Sequence, residues 1–138
     1  MPENGCILGF DYGERRIGVA VGEHLTRTAR PLTTLTSRDG KPDWTAIHRL
    51  LEEWHPARLV VGLPLHLDGK EQSMTDRARR FGNQLHGRFG LPVSYADERL
   101  TSTEATRLLA GKGRNKAAID KVAAQLILQS WLEQEYRE

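Results

Sequence analysis

The stretch that decides the fold is CILGFDYGERRIGVAV, residues 6–21. An apolar run at 6–11 is followed by a polar turn containing Gly13 and by a second apolar run at 17–21. Short apolar runs bounded by turn residues predict buried strands, and their close spacing predicts a hairpin. The hairpin carries one unusual residue, Asp11, because a carboxylate at the end of a buried strand is costly unless something compensates its charge.

The rest of the chain alternates between strand and helix patterns. The Thr-rich segment at 28–36 contains one proline, which suits an edge-like third strand. Pro42 and Asp43 are typical of a helix start, and the following apolar residues at helical spacing predict a helix that stops before Pro56. The later predictions are a strand at 58–63, a loop at 65–70, a helix at 74–89 ended by Gly90, a strand at 91–97, a helix from 101 to about 110, a basic loop at 111–116 and a final helix at 119–131.

The predicted order of elements is β-β-β-α-β-α-β-α-α. An opening meander followed by alternating helices and strands indicates an α/β fold with a five-stranded mixed sheet and helices on both faces. The later strands need right-handed crossover connections, which the intervening helices provide. A chain of 138 residues is long enough for a single domain over 1–138 with its own hydrophobic core.

Composition narrows the class of protein further. The chain has 28% charged residues, a formal net charge of +2 and one cysteine, so no disulfide can form within it. No apolar run approaches the roughly 20 residues of a membrane span, and the N-terminal residues do not resemble a signal peptide. We therefore expect a cytoplasmic protein without a membrane partner. The small positive excess permits nucleic acid as a partner but does not by itself indicate one.

Three carboxylates are candidates for a shared site. Asp11 and Glu98 each follow an apolar strand, and open α/β sheets form their sites in crevices at strand ends. Asp120 lies near the start of the last apolar helix. Each has an ordinary alternative: Asp11 as a turn aspartate bonded to backbone N–H groups, and the other two as acids that favour a helix N-terminus.

If these three acids cluster, a divalent cation is needed to offset their mutual repulsion. Carboxylate oxygens favour Mg²⁺ or Mn²⁺, and the sequence has no Cys/His cluster that would indicate zinc. Such a site suits phosphodiester hydrolysis, in which a metal activates water or stabilises the leaving oxygen.

Basic residues fall in two places. We expect the glycine-containing segment with Lys112, Arg114 and Lys116 to contact phosphate, because glycines let the backbone approach closely. The arginines of the helix at 74–89 are interpreted instead as a solvated helix face. These arginines are Arg77, Arg79, Arg80 and Arg88.

Several motifs of the sequence together resemble those of a known family. The run at 11–20 (DYGERRIGVA) is similar to the opening motif of the YqgF family, also called RuvX, which are bacterial RNase H-like proteins related to Holliday junction resolvases. Further matches are VGLP at 61–64 with Asp68-Gly69, DERLT at 97–101, and Asp120 before Ala123-Ala124 and Ile127-Leu128. The resemblance covers about residues 6–132, and the four motifs occur in the right order at the right distances.

The resemblance implies an RNase H-like fold with Asp11, Glu98 and Asp120 as catalytic, metal-binding acids and Mg²⁺ or Mn²⁺ as cofactor. It also implies maturation of the 5′ end of 16S ribosomal RNA, with a ribosomal RNA precursor or pre-ribosomal particle as partner. Arg16 is expected to orient Asp11 or to contact phosphate. We expect a monomer or a weak homodimer.

Three other functions are compatible with parts of this pattern. A Holliday-junction-resolvase-like DNA endonuclease would use the same acids on branched DNA, and it would act as a dimer. A non-catalytic RNA-binding assembly factor would keep the fold without turnover. A sugar-kinase or actin-like ATPase also has an Asp-x-Gly turn after its first strand, but the chain is too short for the two domains that would enclose a nucleotide.

Overall fold

The fold is known from a computed structural model, which describes residues 5–64, 73–97 and 116–135. It contains six strands and three helices in these ranges. They are β1 (Cys6–Asp11), β2 (Arg16–Glu23), β3 (Thr28–Arg38), β4 (Lys41–Pro42), α1 (Trp44–Trp54), β5 (Arg58–Leu63), α2 (Ser73–Phe89), β6 (Val93–Asp97) and α3 (Lys116–Glu135). The predicted loop at 65–70 and the predicted helix from 101 to about 110 lie outside the described residues.

One mixed sheet organises the molecule, with strand order β4-β3-β2-β1-β5-β6. The strands β1 to β4 pair antiparallel in succession, and β5 and β6 continue the sheet parallel to β1. The predicted α/β fold with a mixed sheet is therefore confirmed. The strand count differs by one, because β3 runs on to Arg38 and turns back through Gly40 into the two-residue β4, which no apolar pattern marks.

Alternation along the strands separates two hydrophobic layers. Leu8 and Phe10 of β1 pack with α1 and α2 on one face of the sheet. Ile7 of the same strand packs against α3 on the opposite face. Successive side chains of a strand point to opposite faces, so a strand that is apolar throughout requires helices on both sides. The sheet is covered on both sides as predicted.

Local chemistry sets the helix ends close to their predicted positions. The Asp43 side chain accepts a hydrogen bond from the Ala46 backbone N–H at 3.1 Å and caps α1. His55 ends that helix in the left-handed conformation, directly before Pro56. Gly90 ends α2 with φ of 71° and donates its backbone N–H to the His86 carbonyl at 2.9 Å.

The last helix begins earlier than predicted. Lys116 is the first residue of α3 rather than the end of a loop, so Asp120 is its fifth residue. The helix N-terminus therefore contributes less to stabilising Asp120 than a first-turn position would, because the effect of the helix dipole falls off within about one turn. Among the helices that the structure describes, none is long and apolar enough to cross a membrane.

Candidate functional site

Asp11 is the most buried charged residue of the site. It is the last residue of β1 and is only 5% exposed to solvent, and it pairs in register with Gly18 of β2. Every other buried residue of β1 is apolar or glycine. A carboxylate at this depth needs a compensating partner, since transfer of an isolated charge out of water is costly.

Gly18 lets α3 approach the strand that carries this pairing. A Cβ atom built on Gly18 would lie 1.9 Å from the backbone oxygen of Asp120. No side chain larger than hydrogen fits there without displacement of the helix backbone. Gly9 and Gly22 lie under the same helix, where a Cβ atom would come within 2.9 Å of Leu128. The small residues of β1 and β2 thus bring the first turns of α3 next to Asp11.

Arg16 forms an ion pair that links β2 to α3. Its Nε donates to Oδ2 of Asp120 at 2.5 Å, and the two side chains are 35% and 19% exposed. A half-buried charge-assisted hydrogen bond is stronger than a neutral one, and it orients the Asp120 carboxylate. Arg16 is the first residue of β2, so the hairpin turn places this guanidinium on the same edge of the sheet as Asp11.

A pocket of about 340 Å³ lies at this edge. The turn after β1 contributes about half of its lining residues. Its lining residues are Asp11, Tyr12, Gly13, Glu14, Arg15, Arg16, Met74 and Asp120. The structure therefore brings Asp120 next to Asp11 and Arg16, although at least 104 positions separate it from either residue in the sequence.

Glu98 follows directly on the described end of β6. Asp97 pairs with Leu63 at the carboxyl end of the parallel strands β5 and β6, the same end of the sheet that carries Asp11. The first and last of these parallel strands are not neighbours, however, because β5 lies between them. The strands β1 and β6 are therefore two strand spacings apart, which is roughly 10 Å. Glu98 itself lies outside the described residues.

The predicted basic segment is also largely outside them. Lys112 and Arg114 are not described, and of Lys116 only the backbone is, as the first residue of α3. Their role as phosphate contacts stays a prediction. The described start of α3 at Lys116 lies about one helical turn before Asp120, which lines the pocket.

The donors of the pocket suit a hard divalent cation. Asp11 and Asp120 both line the pocket and offer carboxylate oxygens, and like charges that share a pocket favour a cation between them. Within residues 5–64, 73–97 and 116–135, no group of three His, Cys, Asp or Glu side chains is close enough to hold a metal. Two carboxylates fit part of a Mg²⁺ or Mn²⁺ site, which a further ligand must complete.

The single cysteine takes no part in this site. Cys6 lies at the other end of β1, and its thiol donates to the Trp54 carbonyl at 3.2 Å. Burial raises the pKa of the Cys6 thiol, which keeps it protonated at neutral pH. A protonated thiol is a poor nucleophile, so thiol chemistry at this position is disfavoured.

Two residues with structural roles at the site were not singled out from the sequence. Gly18 could have been recognised as a glycine inside an apolar strand, which often marks close approach of another backbone. Tyr12 donates its hydroxyl to the Gly40 carbonyl at 2.7 Å and ties the turn after β1 to the β3–β4 turn. No local pattern indicates that contact, because the two residues are 28 positions apart.

Comparison with known proteins agrees with this architecture. Over 96% of both chains, the structure superposes on Thermus thermophilus RuvC bound to a Holliday junction, with a TM-score of 0.56 and 16% identity. It also superposes on fowlpox virus resolvase in complex with junction DNA, with a TM-score of 0.61, 12% identity and coverage of 96% and 99%. At such low identity these likenesses establish the fold alone, an RNase H-like fold of the resolvase type.

Sequence comparison defines the family. The model of RuvX, described as a Holliday junction resolvase, matches residues 5–134. A protein of Aeromonas salmonicida named "Putative pre-16S rRNA nuclease" is 54% identical over 134 residues, which are 94% of this chain and 96% of the relative. A protein of Salmonella typhimurium with the same name is 50% identical over 96% of this chain and 99% of its own length. The chain belongs to the RuvX family of nucleases, and the predicted membership is confirmed.

Proposed function

We propose that this chain is a metal-dependent nuclease that hydrolyses RNA phosphodiester bonds in 5′-end maturation of pre-16S ribosomal RNA. The observation that carries the proposal is the shared pocket of Asp11 and Asp120 at the end of the central strand. The catalytic assignment of both acids, and of Glu98, belongs to this proposal. We also propose that residues 1–138 form a single domain, that the protein is cytoplasmic, and that it is a monomer or a weak homodimer.

Asp11, Asp120 and Glu98 would hold Mg²⁺ or Mn²⁺. The oxygen donors of the first two line one pocket, which supports the choice of a hard cation. When bound, the metal would supply an activated water and stabilise the charge on the leaving oxygen. Burial of Asp11 keeps its carboxylate in one orientation and limits competition from bulk water.

Arg16 has a defined part in this proposal. Its guanidinium balances the charge of Asp120 and orients that carboxylate, which lines the pocket. Because it is about one third exposed, it also offers N–H donors to a phosphate oxygen of a bound strand. Arg16 would therefore bind the phosphate next to the one that is cleaved, in addition to positioning Asp120.

The two candidate substrates, ribosomal RNA precursor and branched DNA, differ in the type of nucleic acid. Close relatives carry a name that refers to pre-16S ribosomal RNA, which favours RNA. The family model and the superposed structures refer to Holliday junctions, which favours branched DNA as the second candidate. We place RNA first because the relatives are 50–54% identical, whereas the resolvase structures share less than a fifth of their residues with this chain.

A cleavage assay on purified protein tests the proposal. We expect cleavage of precursor ribosomal RNA with Mn²⁺ or Mg²⁺, none in EDTA, and little on a synthetic four-way DNA junction. Sedimentation of the same sample reports oligomeric state, since a resolvase would act on the two-fold junction as a dimer. Metal-dependent cleavage of the junction alone would replace the RNA assignment by the DNA one. RNA binding without cleavage under any metal would indicate a non-catalytic assembly factor.

The basic segment before α3 gives a separate prediction. Replacing Lys112, Arg114 and Lys116 together by Ala is expected to weaken RNA binding and to make its salt dependence shallower. Each phosphate contact to a single strand contributes about 0.7 to the slope of log K against log salt, so three lost contacts reduce it by about 2. Titrations between low and moderate salt measure this slope. An unchanged slope would remove the segment from the binding surface.

A further inference from the structure

A second and larger concavity adjoins the acidic pocket. Its volume is about 920 Å³, and it shares Tyr12 and Glu14 with that pocket as a common wall. We call it the α2 groove. Its lining residues are Tyr12, Glu14, Asp39, Gly40, Lys41, Pro42, Trp44, Arg77, Arg80, Phe81, Gln84 and Arg88. The groove thus runs from the candidate site along the surface of α2.

The α2 groove concentrates positive charge. It contains four cationic side chains, Lys41 and three arginines, against the carboxylates of Glu14 and Asp39. Glu14 is already committed, because it pairs with Arg77. Within the described part of the chain, no carboxylate forms an ion pair with Lys41 or Arg80. A protein with a formal net charge of only +2 therefore places an excess of two cations in one groove.

The arginines lie along one stripe of the helix. Arg77, Arg80 and Arg88 are exposed and follow one another at intervals of three and eight residues, with Gln84 between the last two. At 1.5 Å per residue the stripe is about 16 Å long, which corresponds to roughly five phosphate spacings of a stacked strand. A row of this length fits the phosphate backbone of a strand better than it fits one small anion.

Arg88 is held in place by an aromatic platform. Its Cζ atom lies 4.2 Å from the centroid of the Trp44 ring, and Trp44 itself stacks on Phe81 with the centroids 5.8 Å apart. The Trp44 ring therefore packs between Phe81 and the Arg88 guanidinium and supports one face of that guanidinium. Because the guanidinium is planar and exposed, its other face can stack on a nucleobase while its N–H groups reach phosphate.

The connection to the candidate site is rigid. Tyr12 donates to the Gly40 carbonyl at 2.7 Å, and the Gly40 N–H donates to the Glu14 carbonyl at 3.1 Å. The turn after β1 is therefore fixed against the β3–β4 turn, and both turns line the groove. Arg77, paired with Glu14, lies where the groove meets the acidic pocket. A strand leaving the pocket would enter the groove at this ion pair.

We propose that the α2 groove binds the sugar–phosphate backbone of the nucleic-acid strand that flanks the cleaved bond, through Arg77, Arg80, Arg88 and Lys41. This inference rests on the proposed nuclease function and extends it to a binding track outside the acidic pocket. It replaces the interpretation of these arginines as a solvated helix face. The groove would recognise a polyanionic backbone, which RNA and DNA share, and one base would stack on Arg88.

The test compares two double variants of equal charge. Arg80→Ala/Arg88→Ala removes two groove cations. Arg27→Ala/Arg30→Ala removes two cations at the opposite end of the sheet, where the Arg30 guanidinium also lies over a tryptophan, 5.5 Å from the Trp54 centroid. Binding is measured without divalent metal to RNA strands of about 12 and about 4 nucleotides, which bracket the roughly five spacings of the stripe, and to a four-way DNA junction.

We expect the groove variant to bind the longer RNA about tenfold more weakly at moderate salt, with a slope shallower by about 1.4 for two lost contacts. The control should stay within about twofold of the parent, and the shorter strand should discriminate less between the two variants. Arg88→Lys should keep the slope and lose part of the affinity, because it retains the charge without the planar face. Weakening on the junction alone would assign the groove to DNA.

The outcomes separate this inference from the proposed function. If the parent cleaves RNA with metal and the groove variant binds like the control, the groove assignment is wrong and the nuclease assignment stands. If the parent cleaves nothing but binding depends on Arg80 and Arg88, the groove stands and the nuclease assignment fails. Absence of binding by the parent to every probe overturns the groove.

Discussion

Replacing Asp11 by Asn is expected to abolish metal-dependent cleavage while the protein still folds. The substitution keeps the shape of the side chain and removes the charge that a metal requires at the most buried acidic position of the site. Loss of a central catalytic group lowers turnover by several orders of magnitude, so we expect a fall of at least about 1,000-fold. Cleavage of precursor RNA with Mn²⁺, together with a thermal unfolding curve, measures both parts of the prediction.

A matched control is available in the same chain. Asp43→Asn also removes one carboxylate charge, but Asn caps a helix as well as Asp does, so α1 should keep its N-terminal hydrogen bond. We expect this variant to cleave at the parent's rate and to unfold at the parent's temperature. If Asp11→Asn cleaves as fast as Asp43→Asn, Asp11 is not a metal ligand.

Replacing Gly18 by Ala is expected to reduce both stability and cleavage. The new methyl group would overlap the backbone oxygen of Asp120, and a backbone atom cannot move aside as a flexible side chain can. Forced repacking of this kind costs about 1–3 kcal/mol of unfolding free energy. It also moves Asp120 away from Asp11, and a displacement of about 1 Å near reacting groups can lower the rate about a hundredfold.

Gly87→Ala serves as the comparison for this prediction. Gly87 lies in α2, and a Cβ atom there has nothing within 4 Å. Alanine in a helix interior is favoured over glycine by about 0.5–1 kcal/mol, so this variant should be slightly more stable than the parent. Denaturant unfolding gives the two free energies, and cleavage per folded molecule gives the second readout. Equal stability and equal cleavage for both variants would show that α3 adapts freely at Gly18.

Short-range features of this protein follow directly from its sequence. The hairpin at 6–21, the cap at Asp43 and the stop at Gly90 were predicted because each depends on residues within a few positions of one another. The requirement for helices on both faces follows from strands that are apolar throughout. By contrast, β4 has two residues and no periodicity, so only its pairing with β3 reveals it.

The family resemblance predicted more about the candidate site than the residue patterns did. It named Asp11, Glu98 and Asp120 together, whereas each acid on its own had an ordinary structural explanation. The comparisons confirm the family over residues 5–134. The roles of the individual acids stay predictions, and Glu98 lies outside the described residues, which reach Asp97 at the end of β6.

The sequence by itself determined that a carboxylate, Asp11, ends a buried strand and that strands and helices alternate around it. Only the tertiary structure decided what lies next to that carboxylate. The ion pair between Arg16 and Asp120 joins residues 104 positions apart, and it depends on how closely α3 can approach a strand at Gly18. The α2 groove likewise arises where three separate segments meet. Periodicity records which face of an element is buried, whereas proximity depends on the packing of whole layers, which no local pattern encodes.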